Sequence, residues 1–148
     1  PHRPQTAIGL LAYGLQRRRH PITIISCDNL RANGEKLERA VRKFLSVLGY
    51  TEKLQASFPN TMVDRIVPSL LPAKVVELEA RHGLGRSELI ATETFSQWVI
   101  EEKFAGDRPQ WKDVQFVNDV KPFEEMKLRL LNASHSYLAY AGLNRGYQ

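Results

Sequence analysis

The feature of the sequence that most constrains the fold is a β-branched run, ITIIS (residues 22–26), between two segments of helical periodicity. Upstream, residues 6–19 have the apolar spacing of a helix with Thr6 as its N-cap, and Pro21 prevents that helix from continuing. Downstream, residues 34–49 predict a second amphipathic helix, whose buried face is Leu37, Val41, Phe44, Leu45 and Leu48. Helix, strand and helix in close succession indicate an α/β layered fold.

The rest of the chain continues this alternation of elements. Residues 72–83 predict a helix that ends at Gly83, and a long final helix begins near Pro122, because proline suits the first turn of a helix. Short β-branched stretches predict strands or extended segments at residues 62–67, 89–102 and 114–120.

The final helix carries polar side chains on its apolar stripe. Its predicted buried face consists of Leu128, Leu131 and Leu138. At about 100° per residue, four polar residues lie within a sector of about 140° that includes the first two leucines: Glu124, Lys127, Asn132 and His135. Burying an unpaired amide or ammonium costs several kcal/mol, so these groups either have partners and a use or bond locally and extend to solvent. Spacing alone leaves both alternatives open.

Two further polar pairs lie beside apolar segments. Asp28 and Asn29 follow the run at residues 22–26, at the strand end where open α/β sheets bind ligands. The same residue types also form turns and helix N-caps. Asp64 and Arg65 are flanked by apolar residues, an arrangement that equally fits an internal ion pair.

Several function classes lack their usual motifs. Gly83-Leu84-Gly85 is not the glycine-rich turn of a dinucleotide fold, and no two of the four histidines have metal-ligand spacing with a carboxylate, so we expect no metal. No apolar run approaches the ~20 residues that cross a bilayer. Cys27 is the single cysteine, which excludes an internal disulfide.

The net positive charge of the chain leaves a second class of function open. The net charge is +5, and much of it lies in Arg17-Arg18-Arg19-His20. Such a cluster could bind phosphate or nucleic acid. The alternative is that it offsets the dipole and the unpaired carbonyls at the end of the first helix, and the absence of interleaved aromatic residues favours this alternative.

Four stretches, in this order, resemble the long-chain mannitol dehydrogenase family: ISCDN, FPNTMVDRIVP, QWVIEEKFAGDRPQW and PFEEMKLRLLNASHS. The family includes mannitol 2-dehydrogenase, fructuronate reductase, tagaturonate reductase and arabinitol dehydrogenase. Its most specific element is a Lys-x4-Asn-x2-His signature, matched by Lys127, Asn132 and His135. The resemblance implies that residues 1–121 are the later part of a Rossmann-like nucleotide-binding domain. Residues 122–148 would then begin a mostly helical C-terminal domain, as part of a longer chain.

The resemblance also implies an activity and a role for each polar residue. The enzyme would transfer a hydride between a nicotinamide cofactor and a secondary alcohol of a sugar polyol or aldonate. Lys127 would be the general base, and Asn132 with Asn29 would donate hydrogen bonds to the developing alkoxide. His135 would orient the substrate hydroxyls, and Glu124 would relay the proton towards solvent.

Cofactor and partners follow from the same resemblance. The cofactor would be NAD or NADP, with NAD favoured, and Asp64 together with Asn29 would lie at its nicotinamide end. The expected partner is a small sugar, with no nucleic acid, no membrane and no metal, in a cytoplasmic location, and a monomer is compatible with the sequence. The alternatives are a basic module that binds phosphate or nucleic acid and a folding unit without activity of its own.

Overall fold

The computed structural model describes residues 4–85 and 89–147. In chain order its elements are α1 (Ala7–Leu15), β1 (Ile22–Thr23), α2 (Asn33–Val47), β2 (Ala56–Ser57), β3 (Thr61–Asp64), α3 (Pro72–His82), β4 (Gln97–Glu101), β5 (Val114–Val117), α4 (Lys121–Met126), a π-helical segment (Lys127–Asn132) and α5 (Ala133–Asn144). No helix among these residues is long and apolar enough to cross a membrane.

The strands form two small sheets. β1 and β2 pair in parallel, with Ile22 opposite Ala56. In the second sheet, β3 pairs antiparallel with β4, and β4 pairs in parallel with β5. The strands are shorter than predicted, because the pairing partners are short; beyond β1, the amide of Ile24 still donates to the carbonyl of Ser57 at 2.9 Å.

The first hydrophobic core lies between α1, α2 and the β1–β2 sheet. Thr6 is the predicted N-cap of α1, since its hydroxyl accepts from the Gly9 amide at 3.1 Å. On α2, Phe44 (40% exposed) and Leu48 (57%) were wrongly predicted to be buried, because they face an open groove beside α1. The buried members of this core are Ala12, Leu15, Val41, Leu45, Leu54 and Phe58.

The arginine cluster covers the end of α1. The helix ends at Leu15, earlier than predicted, because the amides of Arg17 and Arg18 turn back to the Gly14 and Leu15 carbonyls at 3.2 and 3.3 Å. The Arg17 guanidinium donates to the Tyr13 carbonyl at 3.0 Å and lies 3.6 Å from the centre of the Tyr13 ring. These contacts favour the helix-end alternative over a phosphate-binding patch.

Glycine and proline mark the ends of the later helices as predicted. α3 ends at Gly83, which has a φ of +64°, a conformation that favours glycine. Pro122 lies in the first turn of α4. Nearby, Met62, Val99 and Val120 form a second core, against which Val117 and Phe123 pack.

The final helix departs from its predicted pattern in two ways. It runs through a π-helical segment, Lys127–Asn132, which the sequence did not predict. Its leucines are not a buried face: Leu128 is 41% exposed and Leu138 is 63% exposed, while Leu131 is half-buried. Besides the packing of Phe123 against the second core, polar side chains of Glu124 and Lys127 make long-range contacts from this helix.

Candidate active site

A tight turn follows β1 and presents Asp28 and Asn29. The amide of Asp28 donates to the Ser26 hydroxyl at 3.3 Å, and the amide of Leu30 donates to the Asp28 carbonyl at 2.8 Å. α2 starts only at Asn33, after a residue without a side-chain cap, so the N-cap alternative for Asp28 and Asn29 is wrong. Their turn instead faces the final helix.

Lys127 joins the turn after β1 to strand β3. Its Nζ donates to Asn29 Oδ1 at 3.1 Å and to the Val63 carbonyl at 2.5 Å, and it lies 3.4 Å from Asp64 Oδ1. The side chains of Lys127 and Asp64 are 12% and 13% exposed. The alternative prediction, that the Lys127 side chain bonds locally and extends to solvent, is therefore wrong.

The contacts of Asp64 also differ from the predicted alternative, in which Asp64 forms an ion pair with Arg65. Asp64 pairs with Lys127, whereas the Arg65 guanidinium donates to the Glu93 carbonyl at 3.3 and 3.4 Å. An Asp64–Arg65 ion pair is thus not formed. The carboxylate is directed to the ammonium on the final helix.

Glu124 connects the first turn of the final helix to the segment before α2. Its Oε1 accepts from the backbone amide of Ala32 at 2.9 Å, 92 residues away in sequence. Ala32 has a φ of +49°, in the left-handed region that non-glycine residues rarely adopt. The ionised carboxylate therefore stabilises an amide in an unusual backbone conformation.

The π-helical segment changes where Asn132 lies relative to Lys127. In an α-helix two residues five apart would be about 140° apart around the axis. In a π-helix the hydrogen bonds join residues five apart, so the turn is wider and these two side chains come closer to one face. Lys127 and Asn132 both line one cavity.

That cavity has a volume of about 70 Å³ and is lined by Asn29, Glu124, Lys127 and Asn132, among others. Glu124 also lines a neighbouring cleft of about 270 Å³. It therefore borders both the small cavity and the larger cleft. The small volume is below the ~300–1,000 Å³ of a typical ligand site, so this cavity alone cannot enclose a ligand of that size.

Two predicted site residues lie outside the cavity. His135 is exposed on α5, and within the described part of the chain its imidazole makes no hydrogen bond. Asp64 contacts Lys127 from outside the lining. Among the described residues, no group of three or more histidine, cysteine, aspartate or glutamate side chains could hold a metal ion.

Sequence reasoning missed two contributors to this arrangement. The Val63 carbonyl binds Lys127, but a backbone group gives no signal in sequence. Asn33 was not singled out in the sequence, although its side chain is buried among the residues that carry the site. An asparagine at the start of the predicted helix at residues 34–49 is the signal that could have drawn attention to it.

Comparison with known protein families shows which family the chain belongs to. Residues 1–113 match the profile of the mannitol dehydrogenase Rossmann domain, and residues 119–148 match that of the mannitol dehydrogenase C-terminal domain. The chain belongs to the mannitol dehydrogenase family. The resemblance of the four stretches and the Rossmann assignment are thereby confirmed.

Relatives and solved structures agree with the family. The chain is 44% identical over 158 residues to D-mannonate oxidoreductase of Escherichia coli (strain K12), covering 100% of this chain and 32% of that relative. The structure of D-sorbitol dehydrogenase in substrate-free form matches with a TM-score of 0.85 and 36% identity, over 98% of this chain and 32% of that one. A ternary complex of Pseudomonas fluorescens mannitol 2-dehydrogenase with NAD and D-mannitol matches with a TM-score of 0.78 and 40% identity, over 97% and 31%. The chain spans about a third of the length of these relatives.

Proposed function

We propose that the protein containing this chain is an oxidoreductase that transfers a hydride between a nicotinamide cofactor and a secondary alcohol of a sugar polyol or aldonate. NAD is the favoured cofactor, in line with the NAD complex of the mannitol 2-dehydrogenase neighbour. Residues 1–121 belong to the nucleotide-binding domain and residues 122–148 to the helical domain. The reacting groups converge where these two parts meet.

The observation that carries the proposal is the placement of the Lys127 ammonium. It lies on the small cavity, within hydrogen-bond distance of Asn29 Oδ1 and the Val63 carbonyl, and beside the Asp64 carboxylate. A lysine that is 12% exposed and shares a cavity with two asparagines can exchange a proton with a small polar ligand. It would accept the proton of the alcohol during oxidation and return it during ketone reduction.

The two asparagines supply hydrogen bonds to the reacting oxygen. Asn29 Oδ1 is occupied by Lys127, so its Nδ2 is the group left to donate to an oxygen in the cavity. Asn132 lines the same cavity from the final helix. Donors that are fixed before the reaction stabilise an alkoxide without reorganisation, which is the role of an oxyanion hole.

Glu124 provides a route for the proton. Because it lines both the small cavity and the neighbouring cleft, its carboxylate can pass a proton from the region of Lys127 towards solvent. His135, one helical turn beyond Asn132, orients the hydroxyl groups of the substrate outside the cavity.

The residues present fit a nicotinamide ring. Carboxylates lie in the turn after β1 (Asp28), at the end of β3 (Asp64) and on α4 (Glu124), which suits the positive charge of an oxidised ring, and Asn29 offers an amide for hydrogen bonding. Asp64 and Asn29 would hold this end of the cofactor. When bound, the nicotinamide supplies the hydride chemistry, and the protein supplies position and proton transfer.

Assays of the full-length protein with polyols and hexuronates, each with NAD and NADP, test this proposal. We expect oxidation of at least one polyol or aldonate, and a loss of about 10²–10⁴-fold in kcat for Lys127→Met. Lys74→Met is a matched control, since Lys74 also pairs with a carboxylate, Glu77 at 2.9 Å, but on exposed α3. Absence of nicotinamide-dependent activity across the panel, or a normal kcat for Lys127→Met, would overturn the proposal.

A further inference from the structure

A buried asparagine holds the turn that carries Asn29. Asn33 is 2% exposed. Its Nδ2 lies 3.2 Å from the Ser26 carbonyl, 3.0 Å from the Asp28 carbonyl and 2.9 Å from Thr61 Oγ1, so its two hydrogens are shared among three acceptors. Its Oδ1 accepts from the Thr61 amide at 2.9 Å. One side chain thus binds two carbonyls of the turn and the first residue of β3.

Thr61 makes a second link between strand β3 and the turn that carries Asn29. It is 1% exposed, and its hydroxyl donates to the same Ser26 carbonyl at 2.5 Å. Two residues further along β3, the Val63 carbonyl accepts from Lys127, while Asn29 in the turn accepts from the same ammonium. The distance between the two acceptors of Lys127 is therefore set by the bonds between Asn33 and Thr61.

The backbone around Asn33 has little freedom to shift. A Cβ atom on Gly34 would lie 2.3 Å from the Pro59 carbonyl oxygen, which is closer than any real contact, so α2 begins in direct backbone contact with residue 59. On the other side, the amide of Ala32 is bound by Glu124. The backbone that carries the Asn33 side chain is therefore held on both sides.

We propose that Asn33 is a positioning residue for the reaction and acts through Asn29 and Lys127. This inference rests on the proposed function. Asn33 lies behind the turn rather than in the cavity lining, so it sets the geometry of the hydrogen-bonding groups without contacting the ligand. A displacement of about 1 Å in such a site can lower the rate about 10²-fold.

The matched variants are Asn33→Ala and Asn60→Ala. Asn60 is also a buried asparagine, at 8% exposed. It bonds to Glu35 and Glu101, and not to the turn that carries Asn29. In the full-length enzyme we expect Asn33→Ala to lower kcat by about 10²-fold with KM changed less than about threefold. Asn60→Ala should keep kcat within about threefold although its thermal stability falls. If Asn33→Ala and Asn60→Ala lowered kcat equally, Asn33 would have only a structural role and the proposal would be wrong.

A double-mutant cycle tests whether Asn33 acts through Asn29. In an Asn29→Ala background, the further change Asn33→Ala should lower kcat by less than about threefold, because the group that it positions is already absent. Asn60→Ala should change kcat by the same factor in the wild-type and in the Asn29→Ala background. Full additivity of Asn29→Ala and Asn33→Ala would overturn the proposal.

A readout at Cys27 separates this inference from the proposed function. Cys27 lies between Ser26 and Asp28, the two residues whose carbonyls Asn33 binds. Asn33→Ala should increase the alkylation rate of Cys27, measured by peptide mass spectrometry, and Asn60→Ala should not. An unchanged rate would show that Asn33 does not hold the turn. If the rate rises but no variant or wild type oxidises any polyol, the proposed function fails and the positioning role in catalysis fails with it.

A second pair of variants covers the case in which Asn33→Ala does not fold. Thr61→Val removes the hydroxyl that bonds to Asn33 and to the Ser26 carbonyl, and Thr61→Ser keeps it. We expect Thr61→Val to lower kcat and speed alkylation of Cys27, and Thr61→Ser to restore both towards wild type. Identical behaviour of the two variants would contradict the proposal.

Discussion

The two halves of the final helix are held in opposite ways. In the first half, Lys127 and Glu124 bind the turn after β1, strand β3 and the start of α2. In the second half, α5 has no buried residue, and Tyr137, Leu138 and Leu143 are 72%, 63% and 65% exposed. The first half is therefore held by these polar contacts together with the packing of Phe123 against the second core, whereas these apolar side chains of the second half are exposed.

The largest expected effect after loss of the base concerns the two asparagines on the cavity. Asn29→Ala and Asn132→Ala in the full-length enzyme should each lower kcat by about 10²–10³-fold if, as we propose, each residue donates to the developing alkoxide. Steady-state kinetics with a polyol substrate measure this. Lys74→Met, whose lysine pairs with Glu77 on α3, serves again as the control and should keep kcat. A normal kcat in either asparagine variant removes that residue from the oxyanion hole.

The next effect is on stability and compares two adjacent glutamates. Glu124→Ala in the 148-residue chain should lower the free energy of unfolding by about 1–2 kcal/mol, since a charge-assisted hydrogen bond to Ala32 is lost. Glu125→Ala should change it by less than about 0.5 kcal/mol, because its contact with Arg129, at 3.9 Å, is an exposed i,i+4 pair. Urea denaturation measures both. Equal losses would mean that the first half is not held by Glu124.

A smaller effect is expected in the second half of the helix. Leu138→Ser in the same chain should change the free energy of unfolding by less than about 0.5 kcal/mol, because Leu138 is 63% exposed. Urea denaturation again gives the result, with Leu45→Ser, buried in the first core, as the destabilised control. A loss for Leu138→Ser comparable to that of Leu45→Ser would show that α5 has a buried apolar face.

The smallest effect is a pH-dependent reactivity beside the site. Partial desolvation, and secondarily the neighbouring Asp28 carboxylate, raises the pKa of the exposed Cys27 thiol above its ordinary value. The thiolate fraction is therefore lower than in a free cysteine at pH about 8, and alkylation should be slower. Asp28→Asn should speed it by less than about tenfold. Alkylation as fast as that of free cysteine, with no response to Asp28→Asn, would contradict this account of the turn.

Local signals in the sequence predicted the start of α1, the end of α3 and the start of α4, but not the end of α1 or the lengths of the strands. Thr6, Gly83 and Pro122 act through their own backbone or side-chain chemistry, so each could be located without knowledge of the fold. The polar residues of the final helix were singled out because burial of unpaired groups is costly, and the structure places Lys127, Glu124 and Asn132 on one cavity. The family resemblance, not the spacing, supplied their roles.

What could not be predicted depends on contacts between distant segments. The π-helical segment has no sequence signature, and it moves Asn132 towards the face of Lys127. The exposure of Leu128 and Leu138 contradicts their helical spacing, because the spacing specifies a face but not what covers it. The bonds of Asn33 link residues 28 positions apart, so no local pattern could reveal them.

Chemical rescue of Lys127→Ala tests the central claim most directly. If the Lys127 amine is the base, the full-length variant should oxidise a polyol at least about 10²-fold more slowly than wild type. A small primary amine should restore part of kcat, in proportion to its unprotonated fraction as pH is raised. Asn132→Ala, which keeps the lysine, should show no rescue by the same amine. If Lys127→Ala retains the wild-type rate and pH profile without added amine, another group is the base and this account of the site is contradicted.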